Sequence, residues 1–165
     1  MQSPRPARSV LFVWHTGEEK GLLGSAFFVS HPTVPMDSLV AFVDVDMVGR
    51  NSPDSLYIVG PEAAPNGRSR VLGTLIDSAN ATLPAPFAFN RIWDVVSDPQ
   101  RIYYRTDSYS YGEQGVPVAL FTSGPHADYH QVTDIASRID YVKLAQVSRL
   151  LVAIVDVVGN RAVRP

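Results

Sequence analysis

Apolar residues gather in short unbroken runs, each followed at once by a polar cluster. Ser9–Trp14, Leu39–Val45 and Val116–Phe121 are rich in β-branched and aromatic residues, the composition of strands buried on both faces. Ser55–Val59 predicts one more strand. Helical spacing follows at Leu22, Leu23, Ala26 and Phe27 within Gly21–Ser30, ended by Pro32, and at Val71, Leu72, Leu75, Ile76 and Ala79 within 68–79. The clearest helix spans 140–158, with Asp140 as its N-cap and Gly159 as its stop. Asp107–Gln114 predicts a short helix closed by Gly115. The Pro-rich, aromatic stretch 82–105 reads as loop with one short strand, and Met1–Arg8 as a frayed lead-in. Strand, polar turn and helix alternate, which predicts an α/β fold with a mostly parallel mixed sheet between two helical layers. The strands at 9–14, 39–45 and 116–121 are expected at its centre.

Composition narrows the class. At 165 residues the chain suits one domain with a real core, and 45% hydrophobic against 18% charged residues excludes disorder. Fourteen Lys and Arg against sixteen Asp and Glu leave a net charge of −2, too balanced for a phosphate-binding face, so nucleic acid is not the expected partner. No apolar run is long enough for a membrane span. With no cysteine, disulfides and thiolate chemistry are excluded, and any metal site must use His, Asp and Glu.

The polar clusters lie just beyond the apolar strands, where open α/β sheets bind their ligands. Glu18 and Glu19 follow the first run, between Gly17 and Gly21. Two such carboxylates are most often simply solvated; the alternative is that one binds a cation while its neighbour faces the bound water as general base. Asp44 and Asp46 end the second run and, two apart, share one face of an extended chain. They read either as a solvated rim beside Arg50 or as a metal-binding pair, because buried carboxylates need a partner. His126 and His130 bracket Asp128 and Tyr129 beyond the last strand, and Asp128 or Asp134 could hold a ligand histidine's second nitrogen. His15 and His31 are assigned to structure or surface, and Asp107 to capping the short helix. Phe87, Phe89, Trp93, Tyr103 and Tyr104 read as core or as the lining of an apolar pocket.

In order along the chain these pieces resemble the co-catalytic zinc exopeptidases of the aminopeptidase Y, glutamate carboxypeptidase and glutaminyl cyclase superfamily. Arg8–Ser25 (RSVLFVWHTGEEKGLLGS) is similar to the family's strand, Glu-Glu pair and Gly-Leu-x-Gly-Ser helix start. Val43–Arg50 (VDVDMVGR) resembles its Asn-x-Asp-Met-x-Gly segment. Thr106–Tyr111 with Gly115–Pro117 resembles Ser-Asp-His-x-x-Phe and Gly-Ile-Pro, and Ser123–Asp134 its closing Tyr-His-x-x-x-Asp block.

The resemblance implies a zinc-dependent exopeptidase, foremost an aminopeptidase acting on peptides. It makes Glu18 the general base, Glu19, Asp46 and His130 metal ligands, and Tyr129 a hydrogen-bond donor to the oxyanion. Two zinc ions are expected in the complete enzyme, and a secreted or periplasmic location is typical of the family. Asp44 stands where the family usually has Asn, and Ser108 where it often has His. The family's upstream His-x-Asp segment has no counterpart before His15. The 165 residues are therefore expected to be one incomplete peptidase-like domain, resembling the C-terminal part of such an enzyme. Weak zinc binding, poor hydrolysis and self-association through an exposed apolar sheet edge follow from that expectation. Two alternatives stand beside it: a non-catalytic remnant acting as a binding module, and a single-zinc glutaminyl cyclase.

Overall fold

The computed structural model describes residues 5–65 and 67–165. Four strands, β1 (Phe42–Asp46), β2 (Ser55–Val59), β3 (Ala88–Asn90) and β4 (Val118–Thr122), form one mixed sheet in the order β1-β4-β2-β3. β1 runs parallel to β4 and β3 parallel to β2, while β2 and β4 are antiparallel. Four α-helices flank the sheet: α1 (Leu23–Ser30), α2 (Arg70–Ala81), α3 (Ser108–Glu113) and α4 (Tyr141–Gly159).

The alternation of side chains along β4 explains the layers, since all five of its residues are buried and successive ones point to opposite faces. Ala119 and Phe121 join Leu56 and Ile58 beneath α2 and α4, with Leu72, Ile76, Leu150 and Ile154. Val118 and Leu120 face the other way, against Tyr111 and Tyr103, with Phe28 of α1 and Phe42 packed alongside. The result is an α/β/α sandwich. Asp140 caps α4 as expected, its side chain accepting from the Lys143 amide at 2.9 Å. Gly159 is the helix's last residue, with Asn160 at the cap. Among the described residues no helix is long and apolar enough to cross a membrane.

One expected strand is absent. Residues 9–14 run without a ladder partner among the described residues, and Phe12 and Trp14 are 73% and 86% exposed. An apolar, β-branched run becomes a strand only when a neighbour pairs its backbone, and none does here. A cleft of about 1710 Å³, lined by both, lies between this segment and β1. β1 pairs only with β4, so its outer edge is open among the described residues.

Candidate active site

β1 and β4 are parallel and in register to their ends, Asp46 opposite Thr122, so the turns that follow both strands leave from the same end of the sheet. Three segments meet there. The first is the Glu18–Lys20 turn, which α1 fixes. The Gly24 amide donates to the Thr16 carbonyl at 2.8 Å, and a Cβ on Gly24 would lie 2.6 Å from the Thr16 backbone. Only glycine permits that approach. Gly17 and Gly21, with φ of 67° and 97°, bend the chain on either side of the carboxylates.

The second segment is β1 itself. Asp44 accepts from both the amide and the hydroxyl of Ser108, each at 3.1 Å, at the start of α3. Asp107, expected to cap α3, makes no capping hydrogen bond, and its Oδ1 is buried without a partner. The segment from Thr106 to Ser108 instead brings Asp107 into a group with Glu18, Asp44 and Asp46. Burial first, then the charges of Glu19, Asp46, Asp107 and Asp44, push the Glu18 carboxyl up to about 7. Burial, offset in part by the Ser108 hydroxyl, raises Asp44 to about 6. Asp46 is raised too, by burial and by Glu19 and Asp107. Among the described residues no Lys or Arg forms an ion pair with Glu18, Asp44, Asp46 or Asp107.

The loop after β4 is the third segment. His130 Nε2 lies 2.6 Å from Glu19 Oε1, a hydrogen bond across 111 residues of sequence. Tyr129 stacks on His130 with ring centroids 3.8 Å apart. Burial, followed by the Glu19 charge, raises the Tyr129 phenol, so it remains a donor at neutral pH. His130 has φ of 58°, in the left-handed region that non-glycine residues avoid.

The expected site residues thus lie around one end of the sheet, with differing closeness. Glu19 and His130 are in direct contact, and Glu18 and Asp46 belong to the same electrostatic group. Among the described residues no set of three His, Asp or Glu has metal-holding spacing. Asp128 and Asp134, either of which could have held a ligand histidine's second nitrogen, are both engaged by Arg50. Arg50 accordingly does not sit beside Asp44 and Asp46. His126 is half-buried with its side chain covered, its Nε2 3.8 Å from Asp134 and its Nδ1 without a hydrogen-bond partner among the described residues. His15 bonds Tyr111 Oη at 2.9 Å and His31 stacks on Phe27, structural and surface roles respectively. Trp93 and Tyr104 line the cleft, whereas Phe87 and Tyr103 are core. Reading Asp107 as a cap hid its place in the acidic group; its position within Thr106-Asp107-Ser108 was the available signal.

Comparison with known proteins gives the family and the fold. The family model for peptidase family M28 matches residues 1–155. A search of curated proteins found no match. Among solved structures the chain is similar to an aminopeptidase from Aneurinibacillus sp. strain AM-1, with 22% identity and a TM-score of 0.63 over 90% of this chain and 33% of that one. The LapA aminopeptidase of Legionella pneumophila is similar at 23% identity and a TM-score of 0.65, over 90% of this chain and 39% of its own. BSAP, a zinc aminopeptidase from Bacillus subtilis, gives 21% identity and a TM-score of 0.65 over 88% and 35%. These likenesses show the same fold, and the chain spans less than two fifths of the length of each.

Proposed function

The chain belongs to peptidase family M28, and from that premise we propose that it carries part of the catalytic centre of a zinc-dependent aminopeptidase acting on peptides. One observation carries the reading: the contact between Glu19 and His130, set within an acidic group that no Lys or Arg neutralises among the described residues. Carboxylates raised by burial and by one another's charge, with an Asp107 oxygen that has no hydrogen-bond partner among the described residues, form a place that favours a cation. The donor types suit zinc, although catalytic zinc usually takes three protein ligands. Glu19 and His130 would share one metal position, and Asp46 would serve the other. A zinc ion held there would supply an activated water and would polarise the scissile carbonyl.

The protein groups do the rest. Glu18, beside Glu19, serves in this reading as the general base, taking a proton from the attacking water and passing it to the leaving amine. Its raised carboxyl suits that exchange near neutral pH. Tyr129 donates its hydroxyl to the developing oxyanion. The apolar walls of the cleft, with Trp93 and Tyr104, accept the substrate side chain. The open outer edge of β1 supports self-association of the chain, measurable as a concentration-dependent mass by light scattering.

Zinc titration with elemental analysis tests the reading. We expect weak zinc uptake by these 165 residues, lost in Glu19→Gln and in His130→Ala, with slow hydrolysis of an aminoacyl-anilide. Supplying an upstream segment with a His-x-Asp motif should strengthen both, and Glu18→Gln should then abolish turnover while metal stays bound. Zinc uptake unaffected by Glu19→Gln and His130→Ala would overturn the assignment. Cyclisation of an N-terminal glutamine peptide without anilide hydrolysis would move it to a cyclase.

A further inference from the structure

Lys143 is an unusual residue to find in the first turn of α4. Its side chain is wholly buried, at 0% exposure, in a helix whose other buried positions are Val147, Leu150, Ile154, Val158 and Gly159. The first turn of a helix carries partial positive charge, so an ammonium there is unfavourably placed as well as desolvated. Burial lowers its pKa accordingly. An apolar side chain of similar volume would normally serve the core as well or better. What Lys143 adds is a set of directed donors.

Those donors reach the two strand exits that carry the site. Lys143 Nζ donates to the Arg50 carbonyl at 2.6 Å, just beyond β1, and to Ser123 Oγ at 2.8 Å, just beyond β4. The exits are cross-bonded around that point. The Ser123 amide donates to the Met47 carbonyl at 3.1 Å, and the Asp140 amide to the Gly49 carbonyl at 2.8 Å. Asn51 Nδ2 donates to the Ser123 carbonyl at 2.8 Å. From the same Arg50 the guanidinium extends to Asp128 and Asp134, on either side of His130. The exits themselves are sharply bent, with Met47, Asn51 and Gly124 at φ of 56°, 59° and 74°. Bends of that kind persist only when their surroundings hold them.

We propose that Lys143 is a positioning residue that clamps the exits of β1 and β4 together, setting where the His130 loop stands relative to Asp46. It touches neither the metal ligands nor the substrate cleft, and acts through Arg50 and Ser123. Its effect on metal binding, but not the clamp itself, rests on the zinc reading above.

Hydrogen exchange of the chain with Lys143→Met, followed residue by residue, tests the clamp. The Ser123 and Asp140 amides and those of residues 47–51 should exchange roughly tenfold faster, with β2 and the last turns of α4 unchanged. Zinc affinity should fall about tenfold, as for loss of a residue that orients ligands from outside their shell. If Lys143→Met does not fold, Ser123→Ala removes one acceptor outside any helix and should loosen the same amides by roughly threefold. Acceleration spread evenly through sheet and helices would reveal a purely stabilising lysine and overturn the proposal. So would unchanged exits, or loosened exits with unchanged zinc affinity. Should the parent chain take up no zinc, the metal reading fails while the exchange pattern still decides the clamp.

Discussion

Two groups of carboxylates stand at the same end of the sheet and have opposite surroundings. Asp128 accepts from the Thr133 hydroxyl at 2.7 Å, from Arg50 and from Arg138 at 3.2 Å. Thr133 first, and the two guanidiniums with it, hold its carboxyl below the usual range. Glu18, Asp44, Asp46 and Asp107 meet mainly one another, and the first three are raised. The contrast distinguishes carboxylates that build the fold from those available for chemistry. A builder is saturated with donors, whereas a group meant to bind a cation is left in electrostatic debt that only a ligand settles.

The largest expected effect comes from breaking the saturated group. Arg50→Met leaves Asp128 with Arg138 and Thr133 alone, and should lower the urea midpoint of unfolding more than any of the changes that follow. An unchanged urea midpoint would show that this pairing is no builder. Glu18→Gln, by contrast, removes a repelled charge and should leave the metal-free chain as stable or more so.

pH separates the groups next. Glu18 and Asp44 have folded pKa values raised from 4.5 and 3.8 to about 7 and about 6. Each therefore contributes stability that is full below its unfolded pKa and lost as pH rises through the folded one. Asp128 works the other way, its contribution present above the unfolded value and lost as pH falls through the depressed one. The thermal midpoint of the metal-free chain should decline from about pH 4 to pH 7, and Glu18→Gln should flatten that decline. A midpoint that rises over the same interval would contradict the uncompensated charge. The smallest effect is expected at Ser108, which gives Asp44 its hydroxyl and amide. Ser108→Ala should cost about 1 kcal/mol and push Asp44 further up, readable by carboxyl NMR titration.

What could be read in advance follows the same division between local and distant causes. β2, β4 and α4 were legible because continuous apolar strands and a capped amphipathic helix are properties of neighbouring residues. Residues 9–14 have the same local composition as β4 yet no strand partner among the described residues, and pairing is not written in the run itself. The contact of Glu19 with His130 spans 111 residues, so only resemblance to a known family of motifs pointed to it. Asp107 was read as a cap because a helix follows it. Lys143 gave no signal at all, and Arg50 signalled only a neighbour for Asp44 and Asp46: a lysine in a helix and an arginine in a turn are ordinary surface residues until the fold buries them. Charge balance, the property that tells the two carboxylate groups apart, exists only in three dimensions.

The left-handed backbone of His130 carries a consequence for ancestry. An L-residue at φ of 58° gives up roughly 1 kcal/mol that glycine would not. Selection for stability alone thus pulls this position toward Gly or Asn, and the metal-binding role we propose for the imidazole is what would hold it at His. In a lineage that had abandoned hydrolysis, this codon should be among the first to drift, and a population of such sequences would record the loss at residue 130 before the core showed any sign of it.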